Sequence, residues 1–93
     1  MAKRAKAAAG RGLSGVCKLL SDGIKELKKD IAADKKAISA QERFIRQLTK
    51  QGAKPAIINQ AKQRLEMLNS TLEGDEAQLI GFQEEFAAEC RPS

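Results

Sequence analysis

The sequence predicts an all-α protein: two helices folded back as an antiparallel coiled-coil hairpin, with hairpins self-associating into a helical bundle. Three observations carry that expectation. Apolar residues recur at alternating steps of four and three along two long stretches. A single break containing Gly and Pro separates those stretches. Finally, the aromatic residues are three Phe with no Trp and no Tyr, so the core must be built from Leu, Ile and Ala, which suits helical packing better than a sandwich or barrel. Ninety-three residues allow one small domain, in a size range where a single core is only marginally stabilising.

The chain opens on residues 1–12, with Lys3, Arg4, Lys6 and Arg11 and no acid. This reads as a flexible basic tail, without the apolar stretch of a secretory signal. The first helix is expected over 13–50, where Leu20, Ile24, Leu27, Ile31, Asp34, Ile38, Gln41, Ile45 and Leu48 fall on one heptad seam. Ser21-Asp22-Gly23 offers an alternative start for this helix. "KQGAKPA" interrupts the repeat and sets a turn at 51–54. Gly52 suits the left-handed residue that ends a helix, and Pro55 suits the first position of the next. The second helix, 55–90, continues the seam through Ile58, Ala61, Leu65, Leu68, Leu72, Asp75, Leu79, Phe82 and Phe86. Residues 91–93 form a short C-terminal tail.

So short a connection makes the helices antiparallel neighbours. Residues equidistant from Gly52–Ala53 then face each other: Leu48 meets Ile58, Ile38 meets Leu68, Leu27 meets Leu79, and Leu20 meets Phe86. One step further out, Cys17 lies beside Cys90. A disulfide there would close a loop of about 72 residues and contribute on the order of 4 kcal/mol by chain entropy. The other reading is a pair of small reduced thiols in the seam. Two thiols and no His cannot fill a tetrahedral zinc site, and no metal or cofactor is expected.

Charge is uneven. Residues 1–55 hold 14 Lys/Arg against five Asp/Glu, net +9, whereas residues 56–93 hold three against seven, net −4. Lys25, Lys28, Lys29, Lys35 and Lys36 should stand level with Glu73, Glu76, Glu84 and Glu85, favouring the antiparallel register. At the turn, Arg43, Arg46, Lys50, Lys54, Lys62 and Arg64 outnumber Glu42 and Glu66. That tip can attract phosphates, or its cations can simply be solvated.

Some positions break the pattern. Asp34 and Asp75 are carboxylates in the seam, about one layer apart in the folded hairpin, and Ser70-x-x-Glu73 resembles a capping box inside the second helix. This belt reads as a polar layer that fixes register, as a hinge, or as a carboxylate pair poised for chemistry. A second stripe, Ala33, Ala37, Ala40 and Phe44, cannot be buried by two helices alone. Gly74 and Gly81 recur at heptad spacing on the second helix, with Ile80 beside them, and would let another helix approach closely.

No His and no Gly-rich phosphate loop support catalysis, so the chain reads as non-enzymatic. The expected function is a small helical-hairpin protein that oligomerises and contacts DNA or RNA through Lys3, Arg4, Lys6, Arg11, Arg43, Arg46, Lys50 and Lys54. No aromatic is interleaved with the tail cations, so binding should be weakly sequence-specific. The alternative is a structural or assembly subunit, phage virion or scaffolding-like, or a helical adaptor or inhibitor that binds a protein partner. In that case the tail would meet an acidic protein. No apolar run reaches membrane-spanning length, and a cytoplasmic or virion-associated setting is expected.

Overall fold

The computed structural model describes residues 15–90; the N-terminal tail and residues 91–93 lie outside that span. Two helices make an antiparallel hairpin: α1, Gly15–Lys50, and α2, Pro55–Glu89. The all-α antiparallel two-helix hairpin expected from the heptad pattern is therefore the one observed. α1 runs unbroken through Ser21-Asp22-Gly23, so the helix does not begin there. Asp22 serves within the helix instead, its Oδ2 3.9 Å from Lys18 Nζ one turn earlier, an exposed pair worth a few tenths of a kcal/mol.

The turn is a helix-ending motif held by backbone hydrogen bonds. Gly52 has φ +71°, the left-handed conformation that costs a residue with a Cβ. Its N–H donates to the Thr49 carbonyl (3.2 Å), and the Ala53 N–H reaches back to the Leu48 carbonyl (3.0 Å). These two bonds satisfy carbonyls that α1 would otherwise leave unpaired. Beyond them the Lys54 carbonyl accepts from Ile57 (3.0 Å) and Ile58 (3.1 Å). Lys54 is thus the N-cap, and Pro55, which has no N–H to leave unsatisfied, takes the first helical position.

Every seam residue named from the sequence is buried or half-buried, while nearly all the rest of both helices is exposed. The interface is thin. Among the described residues only Cys17, Leu27, Ile31 and Ala61 are buried, and none of their side chains is fully enclosed. With one helix face covered, each seam residue keeps an edge in water.

The chain divides into two compact units, one comprising Lys29–Glu76 and the other the segments up to Lys28 and from Ala77 onward. In the second of these, Cys17 and Cys90 form a disulfide with Cα atoms 5.7 Å apart, linking positions 73 apart in sequence. The reduced-thiol alternative is not what the structure contains. Nearby, a Cβ built on Gly23 would come within 2.8 Å of Phe82 Cε2. The glycine therefore makes room for the ring, a packing role that its place beside Asp22 does not suggest.

In the Lys29–Glu76 unit, Gln41 shares the seam with Ala61. Its Nε2 donates to the Ala61 carbonyl at 3.0 Å. A long amide fits because alanine leaves space opposite, and the bond between elements favours one register. α2 continues through Ser70–Asp75 without a break, so the apparent capping box begins no helix. Thr71 Oγ1 satisfies itself on the Met67 carbonyl one turn back (3.0 Å), as Thr49 does on Ile45 (2.9 Å).

These environments separate the glycines. Gly74 and Gly81 have nothing within 4 Å of a built Cβ, so Gly74→Ala and Gly81→Ala should each stabilise the hairpin by about 0.5–1 kcal/mol. Gly23→Ala should forgo that gain, because its methyl must displace the Phe82 ring. Urea unfolding followed by circular dichroism distinguishes the three variants.

Candidate nucleic-acid interface

The cations assigned to the tip from sequence are where a ligand could reach them. Arg43, Arg46, Lys50 and Lys54 are all exposed, as are Lys62 and Arg64. They converge because α1 ends and α2 begins within the same turn. Lys54, at the N-cap, has no side-chain acceptor for the first amides of α2, and no acidic residue occupies that helix's first turn. The positive end of the helix dipole therefore adds to the local field. Lys3, Arg4, Lys6 and Arg11 belong to the tail outside the described residues.

The structure extends this patch beyond the tip. Lys29, Lys36, Arg43 and Lys50 repeat every seven residues on the outward face of α1, about 10.5 Å apart along the helix. Lys35 and Lys36 join Ser39, Ala40 and Arg43 around a shallow depression on the same helix. The binding set expected from sequence omits Lys29, Lys35 and Lys36, because it pairs them with the acids of α2. The signal is nonetheless present in their spacing: the same heptad arithmetic that places the seam also places a row opposite it.

Those interhelical ion pairs are not made. Among the described residues the only ion pair is Lys18–Asp22. Lys25, Lys29, Lys36, Glu73 and Glu84 stand at heptad positions that face away from a partner helix. For such exposed groups, hydration competes successfully with a weak pair. The lysine row is left with charge that no carboxylate neutralises at close range.

The residues expected from sequence at an oligomer interface divide between the two units. In Lys29–Glu76, Ala33 and Ala40 are exposed, Ala37 is half-buried and Phe44 is 48% exposed. Gly74 lies exposed on α2, and Ile57 and Met67, 45% and 70% exposed, add further unburied apolar surface to the same unit. In the other unit, Ile80 and Gly81 are exposed, joined by Val16 and Leu19. The small residues recur on one flank of each helix, beside the seam.

Asp34 and Asp75 do meet. The Asp34 carboxyl is held above its ordinary pKa of 3.8, first by a hydrogen bond with Asp75, then by burial and by the negative charges of Asp75 and Asp30. Its Oδ2 is inaccessible to solvent and has no hydrogen-bond partner. The negative charges around it disfavour the ionised form of Asp34. Among the described residues no group of three or more potential metal ligands occurs, and no helix is long and apolar enough to cross a membrane.

No protein-family model, curated protein or solved structure matches the chain.

The carboxyl pair makes a signed expectation. A carboxyl whose pKa is raised on folding stabilises the fold fully below its unfolded value, and that contribution is lost as pH rises through the folded value. Lowering pH from neutral toward 4 should therefore raise the contribution of Asp34 to stability. Asp34→Asn should raise the melting temperature at pH 7 and flatten the pH dependence in that window, as thermal unfolding across the range would reveal.

Proposed function

We propose that this chain is a small non-enzymatic protein that self-associates through its helical faces and contacts DNA or RNA through the basic tip and the outward row of α1. The observation that carries the reading is the run of exposed cations Lys29, Lys36, Arg43, Arg46, Lys50 and Lys54, none paired within 4 Å with a carboxylate of the described residues. Polyanion binding gains free energy by releasing counterions, and cations already neutralised within the protein would contribute little of it. The tail cations Lys3, Arg4, Lys6 and Arg11 contribute to the chain's net charge of +5, which favours association with a polyanion. Binding of this kind recognises the phosphate backbone, so the reading implies weak sequence preference.

Fluorescence anisotropy of labelled DNA and RNA oligonucleotides tests this directly. Affinity should fall steeply between about 50 and 200 mM salt. Neutralising Arg43, Arg46, Lys50 and Lys54 to Gln should weaken binding and make the log–log salt slope shallower by about one for each phosphate that is no longer neutralised. Unchanged binding in that variant, or no binding at the lower salt, would exclude the interface.

Self-association rests on a different observation. Phe44, Ile57 and Met67 leave large apolar side chains in water, and rows of Ala and Gly beside them allow close helix approach. A second copy burying these groups would lower the apolar surface that a two-helix hairpin cannot cover. Phe44→Glu with Met67→Glu should shift sedimentation to the monomer while leaving helicity intact. The second functional class, an assembly subunit or an adaptor for a protein partner, draws on the same apolar surface. It is favoured if the wild-type chain forms a stable oligomer that ignores nucleic acid.

A further inference from the structure

We propose that the Cys17–Cys90 disulfide is a reversible redox latch on the end of the hairpin away from the turn, opened by a dithiol reductant that attacks Cys90. Three observations support a latch there. The bond ties the third residue of α1 to the residue just beyond α2. Neither helix terminus it joins carries the charge that favours a helix end, because α1 has no acid in its first turn and α2 no base in its last. The local core is also thin: Cys17 and Leu27 are buried, whereas Leu20, Ile24, Leu79, Phe82 and Phe86 are only half-buried. The turn end differs, since its backbone cap at Gly52 needs no cysteine. Reduction should loosen one end and leave the other closed.

The two sulfurs are not equivalent. Cys17 is 6% exposed, whereas Cys90 is half-buried and stands past the last helical residue, held by its N–H bond to the Phe86 carbonyl (2.8 Å). An incoming thiolate reaches Cys90 first and forms a mixed disulfide with its Sγ. The electron pair of the old S–S bond leaves on Cys17, which takes up a proton. The reductant's second thiolate then attacks the reductant's own sulfur in that mixed disulfide. Cys90 departs as a thiolate and is protonated. The protein has gained two electrons and two protons, and the reductant has become a disulfide. With the disulfide closed, the Glu89 carbonyl lies 3.8 Å from Cys17 Sγ, where it can accept weakly from the S–H that reduction creates.

Hydrogen exchange on the full chain, with and without a phosphine reductant, tests the latch. Amides in 17–24 and 82–90 should exchange about tenfold faster or more when reduced, while those in 38–48 and 58–68 change by less than about twofold. The Cys17→Ser/Cys90→Ser variant should match the reduced protein without reductant. Equal protection in both states, or acceleration spread evenly along the chain, would overturn the proposal. Brief treatment with reduced glutathione, quenched by iodoacetamide, should place glutathione on Cys90 and the alkyl group on Cys17. The reverse assignment would refute the order of attack.

Discussion

Everything in this fold depends on one seam. Two helices have a single face each to offer one another, and the alternating three-and-four spacing puts most of the larger aliphatic residues of both helices on those faces. There is no third element among the described residues to cover what remains. That explains why so few side chains are buried, and why supplementary constraints lie along the seam: a disulfide and a glutamine bonded to a backbone carbonyl. Each holds two specific positions together where apolar packing alone would leave the register weakly determined.

The parts legible in the sequence are those governed by periodicity. The seam, the turn at Gly52 and Pro55, and the neighbouring cysteines all follow from residue spacing and from counting outward from the turn. The less legible parts depend on side-chain geometry in three dimensions. Ion pairs between the helices look reasonable by level, but level does not fix the direction in which a lysine points. Gly23 sits in a stretch that reads as a helix start, and its use as space for Phe82 requires knowing which ring lies opposite. Asp34 and Asp75 are legible as neighbours, but not that Asp34 is held above its ordinary pKa. At the candidate interface, density identifies the tip cations, whereas Lys29 and Lys36 join them only once the pairs with α2 are seen not to form.

The chain also keeps its surfaces apart. Basic side chains repeat along the outward row of α1, and small residues recur on the flanks beside the seam. A helix makes this separation possible because residues seven apart return to nearly the same direction. Three kinds of neighbour can therefore share one helix with little interference: α2 on the seam, another helix on the flank, and solvent or an anion outside. Substitution along one row should leave the others largely intact.

A thermodynamic consequence follows from the lack of any fully enclosed side chain among the described residues. The heat-capacity increment of unfolding scales with the apolar surface newly exposed, and side chains that already keep an edge in water expose less of it. The increment for this hairpin should therefore fall below the roughly 12–15 cal/mol/K per residue of globular domains. A small increment flattens the dependence of stability on temperature, since curvature of that dependence is set by the heat capacity. The hairpin should melt over a broad interval and shed little stability in the cold, behaviour that owes more to the thinness of its core than to any single bond within it.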